Sequence, residues 1–285
     1  MSDVKKSAAE KAAEIIQNYD GPPIRIMEVC GTHTHDIFRL GIRNMLPENI
    51  RLISGPGCPV CVTPVGYIDE AVWLALEQGC TLCTFGDLIK VPGTEMSLAG
   101  ARAKGAKVDM VYSPIDAVDY AETHPDEQVV FLAVGFETTT PASCVAVRKA
   151  KEKGLTNFSL LTANKTMDNA YPRVVTAEGS PEGRELIAET MEAIDTEWRG
   201  LGVIPMSGLK LRDEFADYDA RLKFGIPNME GRANPACRCG DVLQGKIRPD
   251  QCPCFGKACV PEHPVGACMV SDEGACSAFY MYNID

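Results

Sequence analysis

Nowhere does the sequence carry an apolar run long enough to span a bilayer. The polar, helix-like stretch from Met1 to Glu14 lacks the apolar core of a secretory signal, so a cytoplasmic, reducing compartment is expected. There is no surplus of positive charge: 28 basic residues face 39 acidic ones, for a formal net charge of −11. No clustered basic stripe offsets that balance, which argues against nucleic acid and anionic membrane surfaces as partners. Neither a Walker A loop nor a dinucleotide fingerprint is present, so nucleotide use is not expected. Low-complexity tracts and tandem repeats are also missing.

What the chain has in excess is cysteine. Thirteen occur in 285 residues. In a reducing compartment structural disulfides are rare, so this many thiols point to metal ligation or redox chemistry. Seven of them, Cys237, Cys239, Cys252, Cys254, Cys259, Cys268 and Cys276, fall in the last 49 residues. Apolar residues make up 45% of the chain and charged residues 24%, enough for a substantial core in one large or two modest domains.

Short apolar strands alternate with amphipathic helices over the first part of the chain. Strands are predicted at 24–29, 50–53, 81–85, 108–112, 129–134 and 158–162. Helices are predicted at 8–19, 36–45 with Asp36 as its cap, 68–78, 97–104, 115–122 and 142–153. This alternation implies an α/β fold, a mainly parallel sheet with helices on both faces. A helix is expected over 181–198, a strand over 201–205 and a turn at Gly208–Lys210. The Gly-, Pro- and Cys-rich tail lacks periodicity, and metal is its expected staple. Three units result: an α/β domain over 1–167, a mixed connecting region over 168–233 and a Cys-rich domain over 234–285.

Four polar or glycine-rich loops directly follow predicted strands: 30–35, 55–61, 86–93 and 135–141. In open α/β sheets ligands bind beyond the carboxyl ends of the strands, so these loops are expected at one edge. Cys30 offers a soft thiolate, and His33 and His35 offer imidazoles. Cys58 and Cys61 form a CxxC pair ahead of a predicted helix, whose N-terminus is expected to favour thiolate. Asp87 and Glu137 supply acids on neighbouring loops, and Thr138, Thr139 and Thr140 supply hydroxyls. Each has a plainer reading. The histidines serve equally as loop or capping residues, Glu137 as a helix-start acid, and a cytosolic CxxC as two small buried side chains. Cys80, Cys83 and Cys144 lie in apolar strand and helix patterns and read as packing residues.

In the tail, Cys237, Cys252, Cys259 and Cys276 are spaced Cx14C, Cx6C and Cx16C. Four such thiolates suit a [4Fe–4S] cluster or a structural zinc. The close pairs, Cys237–Cys239 and Cys252–Cys254, hold a single intervening residue, an awkward bite for tetrahedral zinc. Wide spacing and surplus thiols favour iron–sulfur. Spacing alone does not choose four of the seven, and Cys239, Cys254 and Cys268 are substitutes.

Several long strings resemble the HypD family of hydrogenase maturation factors. They are CGTHTH from Cys30, GPGCPVC from Gly55, TFGDLIKVPG from Thr84, GFETTTP from Gly135, WRGLGVIPMSGLKLRDEFADYDA from Trp198, and the tail from Asn234 to Tyr282. The resemblance implies a scaffold on which one iron acquires two cyanides and a carbon monoxide, the Fe(CN)2CO centre of [NiFe] hydrogenases. It implies a HypC-type chaperone and a HypE-type cyanide donor as partners. By the same carry-over Cys30 is an iron ligand with His33 beside it, and Cys58 and Cys61 are a redox dithiol. Glu137 lines the same pocket, and Cys237, Cys252, Cys259 and Cys276 hold a [4Fe–4S] cluster. The chain departs from the family where a second α/β half with a PGHVS-like loop is expected. Here Met167 is followed almost at once by 169–175, which resembles the sequence beyond that half, so 168–233 reads as its remnant. Two other readings stand beside the scaffold: a thiol–disulfide oxidoreductase using Cys58 and Cys61, and an inactive shortened paralogue acting as a metal-stapled binding module.

Overall fold

The computed structural model describes residues 7–167 and 180–282. The first part of the expected connecting region, 168–179, therefore lies outside the described residues, as does the family-like stretch at 169–175.

Four strands form one parallel sheet in the order β4-β3-β5-β6: β3 (Thr81–Thr84), β4 (Val108–Met110), β5 (Val129–Ala133) and β6 (Phe158–Thr162). Strands β3, β5 and β6 are buried at every position, as a parallel sheet covered on both faces requires. Alternate side chains then serve different layers. Leu82, Val130, Leu132 and Leu161 face α3 (Val65–Leu76) and α4 (Leu98–Ala103), where Ile68, Ala71, Leu74 and Leu98 meet them. Cys83, Val129, Phe131, Phe158 and Leu160 face α5 (Pro114–Thr123) and α6 (Thr140–Glu152), where Val118, Ala121, Cys144 and Val147 meet them. Local chemistry starts these helices where they start. Ser113 and Asp116 close a capping box ahead of Pro114, and Ser97 caps α4.

The expected single sheet is divided. Strands β1 (Ile24–Glu28) and β2 (Ile50–Ser54) pair in parallel as a separate two-stranded sheet, in register from Ile24↔Ile50 to Glu28↔Ser54. Helix α1 (Ala8–Gln17), started by a Ser7–Glu10 capping box, precedes them and has no buried residue.

Two local readings fail. The CGTHTH motif is not a loop leading to a helix at Asp36. It forms most of helix α2 (Gly31–Arg39) itself, with Cys30 as its N-cap. Thr34 and Phe38, four residues apart and both buried, fix the inward face, a spacing hidden by the polar composition of the motif. The helix expected over 181–198 stops early. Helix α7 (Pro181–Thr190) gives way to β7 (Met191–Trp198), which pairs antiparallel with β8 (Gly202–Leu211). Gly208 lies within β8 rather than in a turn, because its lack of a side chain lets Thr196 pack across the hairpin. Trp198, fully buried, anchors this hairpin by donating its indole N–H to Ser207 Oγ at 2.8 Å. Such cross-strand packing overrides the helical propensity of Met191–Ala193.

After the short helix α8 (Ala220–Phe224) the chain enters the Cys-rich region. Regular structure there is limited to α9 (Cys239–Leu243), α10 (Ala275–Tyr282), short 3-10 turns and isolated bridges. Helix α10 docks on α2. Phe279 packs edge-on against Phe38 at 5.6 Å, and the Tyr282 hydroxyl lies 3.1 Å from His35 Nε2. The C-terminal region thereby sits directly on the element that carries Cys30.

Candidate metal centre

The parallel pairing of β1 and β2 sends both following loops out at the same end. Cys30 and the GPGCPVC loop therefore meet. The Gly31 N–H donates to Gly57 O at 3.2 Å, and a Cβ on Gly57 would run into the backbone of Val29 and Cys30. A residue without a side chain is required for this approach.

Cys58 and Cys61 are 3% and 1% exposed. The Cys61 N–H donates to Cys58 Sγ at 3.3 Å, so the two thiols share one tight turn. The following helix begins only at Val65, too far along to act as expected on the pair. Burial wins instead and pushes the Cys61 thiol well above its ordinary range. The expectation of a helix-lowered thiolate is thus overturned for Cys61.

The tail cysteines close over this pair. The Cys61 thiol donates to Ala267 O at 4.0 Å, and the neighbouring Cys268 is buried in the same cluster. The sulfurs of Cys239, Cys276 and Cys61 around Cys268 bring its thiol down from the ordinary range. The Cys276 thiol is pushed well up by its bonds to Cys239 and Cys268 and by burial. Cys237 Sγ lies 3.1 Å from Cys239 Sγ, and its thiol is raised by that bond and by burial. Burial raises the Cys254 thiol, which donates to Ala236 O at 3.4 Å. Cys259, raised by burial, accepts from the Val265 N–H at 3.3 Å and lies near Cys237 and Cys239. All thirteen cysteines are free thiols.

Apart from Cys237, these sulfurs share or pack against an apolar enclosure with Val62, Phe136, Trp198 and Met269. Gly266 forms part of its wall, since a Cβ there would overlap the sulfurs of Cys237 and Cys239. Among the described residues no three or more His, Cys, Asp or Glu side chains are grouped as around one metal ion. The donor set is instead an extended one of more than four soft sulfur donors, buried at Cys254, Cys259, Cys268 and Cys276 and half-buried at Cys237, Cys239 and Cys252. That chemistry fits an iron–sulfur cluster. Of the residues expected to hold one, Cys259 and Cys276 are buried in this enclosure, Cys252 packs against it, and Cys237 meets Cys239 at 3.1 Å. Sequence spacing did not reveal that Cys239 and Cys268 occupy the junction between the tail and the CxxC pair.

The remaining expected residues are less uniform. Cys30 is half-buried at the start of α2, and His33 is exposed one turn along. His35 is engaged by Tyr282 and by the backbone carbonyl of Asp272 at 3.4 Å. Glu137 accepts the Met167 N–H, which ties the 135–141 loop to the chain beyond β6. The Thr139 and Thr140 hydroxyls both donate to Phe136 O and so close the turn. Asp87 is exposed, and its loop meets the β7–β8 turn through Arg199 on Pro92 O at 3.1 Å. Cys80, Cys83 and Cys144 are wholly buried in the sheet layers, where burial raises their thiols to about 11, about 12 and about 11.

One buried group had no signal in the sequence reading. Lys165 is 1% exposed, its Nζ donates to Glu197 O at 2.9 Å, and the Trp198 ring lies 5.7 Å away. Burial brings its ammonium down to about 7.

Fold and site together define an α/β protein whose strand-end dithiol is sealed beneath a cysteine-rich C-terminal region. The family model for HypD, described as the hydrogenase formation hypA family, matches residues 5–170 and again 162–283. The hydrogenase maturation factor HypD of Azotobacter vinelandii is 37% identical over 356 aligned positions, covering 97% of this chain and 94% of the relative. HypD2 of Bradyrhizobium diazoefficiens is 38% identical over 91% of this chain and 90% of its own length. HypD of Escherichia coli is 37% identical over 91% and 89%. The chain belongs to the HypD family. With 285 residues in an alignment of 356 positions, at least 71 positions of the Azotobacter alignment have no residue here.

Proposed function

We propose that this chain is a maturation factor for [NiFe] hydrogenases, serving as the scaffold and redox partner on which the Fe(CN)2CO iron is assembled. Its partners in this reading are a HypC-type chaperone and a HypE-type cyanide donor. The named relatives support the process, and the burial of Cys61 and Cys268 in one enclosure, with the Cys61 thiol on Ala267 O at 4.0 Å, supports the redox role.

The iron is cargo in this reading. Cys30, half-buried at the rim beside Gly57, is its ligand, and His33 and Glu137 stand on the neighbouring elements. Cys237, Cys252, Cys259 and Cys276 would hold a [4Fe–4S] cluster, which when bound would supply electrons one at a time. The chain's own thiols define the rest. When Cys58 and Cys61 are oxidised, the Cys268 thiolate attacks Cys61 Sγ. The Cys58–Cys61 bond breaks, Cys58 leaves as thiolate and a Cys61–Cys268 disulfide forms. Cys239 then attacks Cys268, releasing Cys61 and leaving a Cys239–Cys268 disulfide. Two electrons have moved from the tail pair to the strand-end pair, and each released thiolate takes up the proton given by the attacking thiol.

Burial separates this reading from a general thiol–disulfide oxidoreductase. A dithiol acting on other proteins must present a sulfur to them. Cys58 and Cys61 present almost none. The unmatched positions of the alignment favour a second reading, the shortened paralogue without maturation activity. Both are tested by complementing a strain that lacks its own HypD and measuring hydrogenase activity with this chain and with Cys30→Ala. The scaffold reading expects rescue by the first and none by the second. Failure of both supports the paralogue, and rescue by both removes Cys30 as the ligand.

A further inference from the structure

Arg199, in the turn between β7 and β8, is a buried cation that no carboxylate balances. It is 7% exposed. Its Nη1 donates to Pro92 O at 3.1 Å, and among the described residues it forms no ion pair. Arg221, by contrast, meets Glu70 at 2.7 Å. A guanidinium taken out of water with one carbonyl for a partner destabilises the fold, unless some other group supplies negative charge.

Its neighbours show where that charge sits. The Arg199 N–H donates to Val62 O at 2.9 Å, one residue past Cys61. Trp198, just before it, is fully buried in the sulfur enclosure. Gly200, just after it, lies against the tail, since a Cβ there would fall 2.7 Å from Gly240 Cα. The Arg199 side chain lines a cleft of about 510 Å³ with Asn234, Pro235 and Val265. Asn234 O accepts the Cys237 N–H at 3.0 Å, and Val265 precedes the Gly266 that abuts the sulfurs of Cys237 and Cys239. The contact with Cys239 and burial raise the Cys237 thiol, and the Arg199 charge works against them.

Protonated thiols are neutral, so the tail supplies negative charge only when its sulfurs are ionised on a metal. A [4Fe–4S] cluster on four thiolates is net negative, and more so once reduced. We propose that Arg199 is the counter-cation of this cluster, and that its buried charge raises the reduction potential by favouring the reduced form. The inference rests on the cluster reading of the tail. Arg199 passes on neither electrons nor sulfur in this scheme. It acts through its charge alone, which burial protects from screening by water and salt.

The test is a spectroelectrochemical titration of the full chain purified without oxygen, and it needs no hydrogenase. Arg199→Gln is expected to disfavour reduction about tenfold or more, a potential lower by about 59 mV for one electron. Arg199→Lys keeps the charge and should stay close to the parent. Arg232→Gln removes a cation on the rim of the same cleft that is 77% exposed and paired with Glu95 at 3.1 Å, and should leave the potential unchanged. Iron content and circular dichroism check that each variant is loaded and folded. An unchanged potential in Arg199→Gln, or an equal fall in Arg199→Lys or Arg232→Gln, overturns the inference. If Arg199→Gln loses its iron, retention by Arg199→Lys supports the same counter-charge, and loss from both overturns it. A parent chain without iron removes the cluster reading first, and this inference with it.

Discussion

The Cys61 thiol donates to the backbone carbonyl of Ala267 at 4.0 Å, joining a turn that follows β2 to the Cys-rich region one residue short of Cys268. Two groups of thiols that are distant in the sequence form one enclosure through this contact. The redox reading depends on it, and so do the first expectations below.

If Cys268 relays the disulfide, Cys268→Ser must hold oxidation at the strand-end pair. Peptide mapping of a non-reduced digest should then find Cys58–Cys61 bonded, and no Cys239–Cys268 bond. In the unsubstituted chain, after partial oxidation, the tail pair should be found as well. The same map from both proteins would mean that Cys268 carries nothing.

Burial should also govern thiol reactivity. In the folded chain iodoacetamide is expected to modify the half-exposed Cys30, Cys237, Cys239 and Cys252 first, with Cys58 and Cys61 at least about tenfold slower. Burial keeps Cys61 both protonated and covered, and Cys58 is nearly as well sealed. Mass spectrometry of a time course reads the order directly, and rapid labelling of Cys61 would show that the enclosure opens.

Gly57→Ala should separate Cys30 from the dithiol turn. The added Cβ meets backbone rather than a flexible side-chain end, so the chain must shift. A loss of roughly 1–3 kcal/mol is expected, as for other overpacked positions. It would be read as a lower urea midpoint at unchanged slope. A midpoint equal to that of the unsubstituted chain would mean the two loops are not held in contact.

Lys165 gives a pH signature. Its ordinary value is 10.5 and its folded value about 7, so between these the unfolded chain binds the extra proton. Stability from this group therefore rises with pH across that window, by up to about 1.4 kcal/mol per pH unit. Below about pH 7 both states are protonated and the full cost of the buried ammonium is felt. Lys165→Met removes the dependence, so the stability difference between variant and parent should be largest near pH 7 and shrink toward pH 10. A difference independent of pH would show that the amine keeps its charge in the fold.

The layers of the sheet were legible in the sequence because a parallel strand covered on both faces is a continuous apolar run, as in Val129–Ala133. The packing role of Cys80, Cys83 and Cys144 was visible for the same reason. Helix α2 was not, since its polar CGTHTH face hides the single inward stripe of Thr34 and Phe38. The β7–β8 hairpin was hidden because its strands are fixed by partners across the turn, such as Trp198 on Ser207, and not by their own propensities. The cysteines of the candidate site could be counted but not paired. Which sulfurs touch depends on the docking of α10 against α2 and on the close approach of Gly266, and neither leaves a spacing rule. Lys165 escaped notice because one lysine among many carries no mark of burial until the hairpin covers it.

The most direct test is the metal content and visible spectrum of the chain purified without oxygen. The account predicts about four irons and matching sulfide per chain, with broad charge-transfer absorption, as a [4Fe–4S] cluster on four thiolates requires. Replacing Cys276 with Ser should lower both together. A folded, colourless protein with one zinc per chain and no iron would contradict it.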